Sequence, residues 1–224
     1  MLSDATTRKL HEMKLSVMAQ AFREQMTGAA CLEMPFEDRF GLLVDAEWAA
    51  RKNNRMARLI RAADYPYPGA CIENIDYLPD RKLDRAQIER LATNAYIQEA
   101  HNIILLGATG NGKTYIASAL GMAASRAFLT VRYVRLPDIL TELAIARGDG
   151  SFRKVMKQYK QVKLLILDEW LLFPLKETEA RDLLEIVEAR CKRASTIFCS
   201  QFDTPGWHAK IGESTLADAI CDRI

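Results

Sequence analysis

Apolar residues follow two different periods along the chain. Residues 3–26 and about 36–63 repeat at helical spacing, and Ser3 or Asp4 can cap the first stretch. From residue 101 onward, four short apolar runs alternate with helical segments, at 101–106, 131–134, 164–167 and 196–199. This alternation is typical of a parallel sheet with helices on both faces. We therefore expect an α/β domain that follows a small all-helical domain.

Two prolines mark the expected boundary between these domains. The run Tyr65-Pro66-Tyr67-Pro68-Gly69 cannot continue a helix, because proline lacks an N–H and restricts the residue before it. We place the helical domain at 1–68 and the α/β domain at 69–224. Further helices are expected from 84 to about 99, and at 115–126, 137–147, 176–193 and 214–224.

The segment between the first strand and the next helix has the composition of a phosphate-binding loop. It reads Gly107-Ala108-Thr109-Gly110-Asn111-Gly112-Lys113-Thr114, which is G-x-x-x-x-G-K-[ST]. The glycines let backbone N–H groups point at phosphate oxygens, and the dipole of the following helix adds to the attraction. Lys113 is expected to neutralise the β- and γ-phosphates, and the Thr114 hydroxyl to take one Mg²⁺ position. Tyr115, the next residue, completes the predicted nucleotide-binding set.

Polar residues end the third and fourth apolar runs. Asp168 and Glu169 follow Leu164–Leu167, at the strand end that faces the ligand crevice in a parallel sheet. Asp168 is expected to hold Mg²⁺ through water, and Glu169 to polarise the attacking water. If the fourth strand lies between the first and third, Ser200 or Gln201 reaches the γ-phosphate; otherwise Gln201 opens a surface loop. These residues predict a Mg²⁺-dependent ATPase.

Charge is almost balanced over the whole chain, which limits how it can bind nucleic acid. There are 31 Lys and Arg against 29 Asp and Glu, a net charge of +2. Any nucleic-acid contact must therefore come from local patches. Two basic stretches qualify, one with Arg51, Arg55 and Arg58 in a narrow helical arc, and one with Arg153, Lys154 and Lys157. A solvated helix face is the alternative explanation for the arginines.

Cysteine spacing and hydropathy indicate a cytoplasmic protein. The five cysteines show no C-x-x-C pair, so reduced thiols are expected and zinc is not. No apolar run approaches the length of a membrane span, and the first residues lack the pattern of a signal peptide.

Together these motifs resemble the AAA+ ATPases, within the helicase-loader clade that holds DnaC and the IstB-like ATP-binding proteins of insertion sequences. The resemblance rests on GATGNGKT at 107–114, LLILDEW at 164–170, TIFCSQF at 196–202 and AICDRI at 219–224. Glu47-Trp48 before the spaced arginines adds to it, so that the resemblance covers essentially the whole chain.

The resemblance implies a P-loop domain of three layers and a transposition helper. Such a protein binds ATP, assembles with itself in an ATP-dependent ring or spiral on double-stranded DNA, and stimulates a partner transposase. It also implies that Asp168 and Glu169 form the Walker B motif, that Ser200 and Gln201 form sensor 1, and that Arg223 is the arginine finger. AAA+ domains continue into a fifth strand and often a lid, so we expect that strand to be missing from a sequence that stops at Ile224.

Two other functions fit the same motifs. A helicase loader of DnaC type shares the nucleotide site and differs in the partner bound by residues 1–64. A stand-alone P-loop kinase acting on a small molecule needs an acceptor pocket and a lid, and it does not need Arg223 from a neighbour.

Overall fold

The structure is a computed structural model that describes residues 2–28, 33–78 and 81–224. It divides into two compact units, Met1–Arg58 and Leu59–Ile224. This division falls earlier than the boundary expected at residue 68. Ala63 and Tyr65 explain the difference, because both are buried in the apolar core of the second unit.

The first unit is helical. Its helices are α1 (Leu2–Glu12), α2 (Ser16–Thr27) and α3 (Phe36–Ala63), the last of which contains the division between the units. The single helix expected over 3–26 is therefore two helices, because Lys14 takes a left-handed backbone conformation with φ 60°. Helix α1 begins at Leu2, so Ser3 and Asp4 lie inside it and not at the position before it.

The second unit alternates strands and helices, which confirms the predicted α/β class. Its elements are α4 (Arg85–Ala92), α5 (Ala95–Gln98), β1 (Ile103–Leu106), α6 (Lys113–Arg126), β2 (Val131–Arg135), α7 (Leu136–Asp149), α8 (Phe152–Gln161), β3 (Leu164–Trp170), α9 (Glu177–Arg190), β4 (Ser195–Ser200), α10 (Thr204–Ile211) and α11 (Ser214–Cys221). The helix expected over 84–99 is interrupted at Asn94, where φ is 65°. Helix α10 was not predicted, although Asp203 caps it by accepting the Gly206 N–H.

The strands of the described residues form one parallel sheet in the order β1-β4-β3-β2. Strand β4 therefore lies between the first and third strands. We expected Ser200 or Gln201 to reach the ligand crevice if β4 had this position. Strand β1 lies at an edge, with Ile104 and Leu106 exposed.

Helices cover both faces of the sheet, so the predicted three layers are confirmed. On one face, apolar residues of α4, α5 and α6 pack against Ile166 and Ile197. On the other, α7 to α11 pack against Leu165, Leu167 and Phe198. No helix among the residues described here is long and apolar enough to cross a membrane.

The proline-containing segment packs against α6 and is not a free linker. Tyr65 lies over Gly121, where an added Cβ would stand 2.6 Å from the tyrosine ring. The Tyr65 hydroxyl and the Ser125 hydroxyl are 2.7 Å apart and hydrogen bonded. This contact places the following tyrosine, Tyr67, beside the phosphate-binding loop, with its ring centroid 5.9 Å from that of Tyr115.

Candidate nucleotide-binding site

The loop of residues 107–114 joins β1 to the first turn of α6. Gly110 and Gly112 have φ values of 83° and 78°, a left-handed conformation that favours glycine. Gly112 precedes Lys113, the first residue of α6, and its carbonyl accepts the Ile116 N–H at 3.0 Å. Because the first N–H groups of a helix lack intrahelical acceptors, this terminus presents donors suited to phosphate.

Lys113 lies inside the curve of the loop. Its Nζ donates to the carbonyl oxygens of Gly107 and Ala108, at 2.6 and 2.9 Å. These bonds hold the ammonium group at the position from which it can exchange a carbonyl for a phosphate oxygen.

Asp168 is the most heavily hydrogen-bonded side chain of the candidate site. Its Oδ2 accepts from Thr114 Oγ1 at 2.6 Å and from the Tyr133 hydroxyl at 2.9 Å, and its Oδ1 accepts the Glu169 N–H at 2.8 Å. Asp168 is 5% exposed. Burial and the Asp168 charge together raise the pKa of Tyr133, so its hydroxyl stays a neutral donor. A carboxylate and a hydroxyl in contact are the hard oxygen ligands that Mg²⁺ prefers, so this donor set fits the metal.

Glu169 forms an ion pair with an arginine from the neighbouring strand. Arg135 Nη2 lies 2.8 Å from Glu169 Oε2, and this hydrogen bond raises the pKa of Arg135. The arginine was not predicted, although it ends β2 and pairs in register with Asp168. It fixes the direction of the carboxylate that is predicted to act on water.

The structure separates the two residues predicted as sensor 1. Gln201 lines the cavity at the phosphate-binding loop, whereas Ser200 is 1% exposed and faces the opposite side of the sheet. The Ser200 hydroxyl accepts the Trp207 indole N–H at 2.8 Å and lies 2.8 Å from the Phe202 carbonyl. Successive side chains of a strand point to opposite faces, so Cys199 takes the cavity side instead. Ser200 is therefore hydrogen bonded inside the core and does not face the nucleotide cavity. The catalytic role predicted for it is corrected.

A cavity of about 230 Å³ brings most of the predicted nucleotide-site residues together. It is lined by Thr109, Gly110, Gly112, Lys113, Thr114, Tyr115, Asp168, Glu169 and Gln201, together with Tyr67 and Cys199, which were not predicted. Burial raises the pKa of the Cys199 thiol. A second cavity of about 440 Å³ shares Gly110, Gly112 and Tyr115 with it, so the groove continues past the loop.

Arg81 adds an unpredicted cation beside the loop. Its guanidinium donates to the carbonyl oxygens of Asn111 at 3.0 Å and Asp76 at 2.5 Å. It also lies so close to Gly112 that a Cβ added there would meet it at 2.6 Å. No sequence motif predicts this contact, because Arg81 lies thirty residues before Asn111 and reaches the loop only in the folded chain.

Arg223, the predicted arginine finger, does not line either cavity. It follows α11, where its Nη1 donates to the Ala219 carbonyl at 3.0 Å and its Nη2 lies 3.4 Å from Glu188 Oε1. Its side chain is 31% exposed. Arg223 therefore lies away from the two cavities at the phosphate-binding loop of its own chain.

The predicted DNA contacts lie on two helices. In the first unit, Arg51 forms an ion pair with Glu47 at 2.8 Å and donates to the Lys14 carbonyl at 2.8 Å. Arg55 and Arg58 are exposed on α3. In the second unit, α8 buries Val155, Met156 and Tyr159 and exposes Arg153, Lys154 and Lys157.

The fold and the loop-to-strand geometry define a P-loop domain with the AAA+ fold. Two solved structures share this fold. DnaA bound to AMPPCP and single-stranded DNA aligns with a TM-score of 0.61 and 21% identity, over 72% of this chain and 50% of that one. The DnaC helicase loader aligns with a TM-score of 0.59 and 17% identity, over 70% of this chain and 94% of that one.

Sequence comparison identifies the family within this class. The model of the IstB-like ATP binding protein family matches residues 8–224, so the chain belongs to that family. A relative from Pseudomonas fluorescens, the ATP-binding protein of insertion sequence IS1162, is 42% identical over 201 residues, which are 90% of this chain and 87% of the relative. The resemblance inferred from the sequence motifs is confirmed.

Proposed function

We propose that the chain binds and hydrolyses ATP with Mg²⁺, and that this reaction regulates a transposase on double-stranded DNA. The contact between Asp168 Oδ2 and Thr114 Oγ1, at 2.6 Å, carries the ATPase proposal, because Glu169 follows Asp168 and lines the same cavity. Membership of a family whose relatives are proteins of insertion sequences supports the transposition role.

Each side chain has a distinct part in this mechanism. The N-terminus of α6 and Lys113 bind the β- and γ-phosphates, and Lys113 exchanges its bonds to loop carbonyls for phosphate oxygens. Thr114, and Asp168 through water, would hold Mg²⁺, which would withdraw charge from the γ-phosphate when bound. Glu169 orients the attacking water and accepts its proton. Gln201 lines the same cavity and reaches the γ-phosphate.

Two substitutions test the ATPase proposal. Lys113→Ala is expected to abolish binding of a fluorescent ATP analogue, because the phosphates lose their main cation. Glu169→Gln is expected to bind normally and to hydrolyse about 100-fold or more slowly, because it removes the base without changing shape. Glu89→Gln, on an exposed face of α4, is the matched control. Wild-type hydrolysis by Glu169→Gln contradicts the role given to Glu169.

We further propose that DNA is bound through phosphate contacts, by Arg55 and Arg58 on α3 and by the exposed cations of α8. Binding is then expected to be largely independent of sequence and to weaken steeply with salt. Replacing Arg55 and Arg58 by Gln is expected to flatten the logarithmic salt slope by up to about 1.8. Arg51→Gln is the control, because its contacts lie within the first unit. A slope equal to that of the wild type in the Arg55 and Arg58 double variant returns these two arginines to the role of a solvated face.

Arg223 is proposed to complete the site of a neighbouring subunit. An arginine that a second protein chain supplies to the transition state accelerates phosphoryl transfer by about a thousandfold or more. Lys113→Ala and Arg223→Ala are both expected to be inactive separately and to regain part of the ATPase activity when mixed with DNA present. Full activity of Arg223→Ala contradicts the proposal, and so does a mixture that assembles on DNA but remains inactive.

The partner distinguishes this function from its alternatives. Copurification with the transposase of an insertion sequence supports the transposition helper, whereas copurification with a replicative helicase supports a loader of DnaC type. A chain that stays monomeric with ATP and phosphorylates a metabolite supports a small-molecule kinase.

A further inference from the structure

Two cations contact the phosphate-binding loop from different sides. Lys113 donates to two loop carbonyls inside the curve and lines the cavity of about 230 Å³. Arg81 donates to the Asn111 carbonyl at 3.0 Å and lines the second cavity, of about 440 Å³. Asp168 and Glu169 belong to the first of these cavities. Arg81 therefore contacts the loop from outside the cavity that the two acids line.

Arg81 is held in turn by the segment that precedes α4. Its backbone N–H donates to the Leu78 carbonyl at 3.0 Å, and its Nη1 donates to the Asp76 carbonyl at 2.5 Å. Ile75, in the same segment, is 5% exposed and belongs to the apolar core of the second unit. A guanidinium is a rigid planar fork of five donors, so it can bond to two backbone segments at the same time. Arg81 thus joins a segment anchored in the core to the phosphate-binding loop.

The bond from Arg81 sets the direction of the peptide group between Asn111 and Gly112. In a trans peptide group the C=O and the N–H point in opposite directions. Because the Asn111 carbonyl is directed at Arg81, the Gly112 N–H is directed away from Arg81. Gly112 also lines the cavity of about 230 Å³, together with Lys113. A backbone donor directed to that side is available to a phosphate oxygen.

Packing between Arg81 and Gly112 supports the same peptide group a second time. A Cβ added at Gly112 would stand 2.6 Å from Arg81 Nη2, so the guanidinium lies directly against the glycine backbone. Glycine by itself allows the peptide group to rotate, because it lacks the Cβ that limits the backbone dihedral angles. Rotation would break the hydrogen bond to Asn111 and the packing on Gly112 together, so Arg81 opposes it.

We propose that Arg81 is a positioning residue that holds the peptide group between Asn111 and Gly112 in the orientation that binds phosphate. This role rests on the proposed function, and it adds a residue from outside the G-x-x-x-x-G-K-[ST] motif to the nucleotide site. Arg81 acts through the Gly112 N–H and does not itself touch the phosphates. Because that N–H binds the phosphates both before and during hydrolysis, loss of Arg81 is expected to raise the KM for ATP and to retain kcat.

Competition against a fluorescent ATP analogue, with Mg²⁺ present, tests the positioning role. The competitors are ATP and inorganic tripolyphosphate, which share the phosphates and differ in the nucleoside. Arg81→Gln and Arg81→Lys are expected to weaken both competitors by the same factor, at least about tenfold. Lysine is expected to fail because its ammonium ends near the position of the guanidinium carbon and cannot reach both carbonyls. Arg90→Gln, which removes an exposed arginine of α4, is the matched control and is expected to bind like the wild type.

Results of three kinds overturn the positioning role and leave the proposed function standing. Loss of ATP affinity with unchanged tripolyphosphate affinity places the action of Arg81 at the nucleoside. Wild-type affinity of Arg81→Lys shows that a charge is sufficient without the bridge between the two carbonyls. A fall in kcat at unchanged KM shows partial unfolding or a part in the chemical step. A wild-type chain that binds neither competitor contradicts the proposed function, whereas Arg81 variants equal to a wild type that binds both contradict the positioning role alone.

Discussion

Tyr133→Phe tests how the candidate metal site is held in place. The Tyr133 hydroxyl donates to Asp168 Oδ2 at 2.9 Å, and Thr114 donates to the same oxygen at 2.6 Å. Phenylalanine keeps the ring and removes only the hydroxyl, so the packing of β2 is retained. We expect the Asp168 carboxylate to lose its fixed direction, and Mg²⁺ to bind more weakly in the presence of ATP.

The size of this effect follows from the burial and charge of Asp168. A hydrogen bond to a charged group contributes about 1.5–3 kcal/mol, which corresponds to roughly a 10- to 150-fold change in an equilibrium constant. Residues that orient metal ligands change metal affinity by about 10- to 100-fold. Because Asp168 is 5% exposed, water cannot readily replace the lost donor. The Mg²⁺ concentration at half-maximal ATPase activity is therefore expected to rise at least about tenfold.

The assay is a Mg²⁺ titration of ATP hydrolysis with a matched tyrosine control. Tyr96 is 7% exposed and its hydroxyl has no hydrogen-bond partner among the described residues, so Tyr96→Phe removes a hydroxyl of the second unit without breaking a bond seen there. It is expected to leave the Mg²⁺ midpoint unchanged. An unchanged or lower midpoint for Tyr133→Phe refutes the orienting role, and an equal shift in both variants shows a general effect of losing a buried hydroxyl.

Two further predictions concern the packing that supports the site. Gly121→Ala sets a Cβ 2.6 Å from the Tyr65 ring and is expected to cost about 1–3 kcal/mol, lowering the melting temperature by several degrees. Gly148→Ala, with nothing within 4 Å, is expected to stabilise by up to about 1 kcal/mol, and a drop in its melting temperature contradicts this. Ser200→Ala removes the acceptor for the Trp207 indole and is expected to lower the melting temperature without weakening ATP binding; lost binding at an unchanged melting temperature contradicts its structural position.

The fold and the phosphate-binding loop were predictable because their signals are local. The apolar runs before Gly107 and Asp168 have the length of buried strands, and the glycines between β1 and α6 are required by the backbone of the loop itself. The residues of β2 that hydrogen bond to the acids of β3 were not predictable in this way. Tyr133 and Arg135 reach Asp168 and Glu169 only through the register between β2 and β3.

Ser200 and Cys199 show why an error of one residue in a strand changes which side chain is predicted to face the nucleotide cavity. Side chains alternate between faces, so a prediction that does not fix the face cannot separate neighbours at a strand end. In the structure Cys199 shares a face with Ile197 and the phosphate-binding loop, whereas Ser200 shares a face with Phe198 and Trp207. The polar character of Ser200 reflects its bond to a buried indole.

The adjacent acids of β3 require the strand to depart from its regular pleat. In a regular strand Asp168 and Glu169 point to opposite faces, yet both line the same cavity. The register between β3 and β4 shifts between Leu167 and Trp170, and Glu169 takes a left-handed φ of 54°. Such a conformation costs of the order of 1–3 kcal/mol in a residue other than glycine. The Glu169 N–H bond to Asp168 and the ion pair with Arg135 offset part of this cost, so the side chains that place the acids also stabilise the backbone irregularity that brings them together.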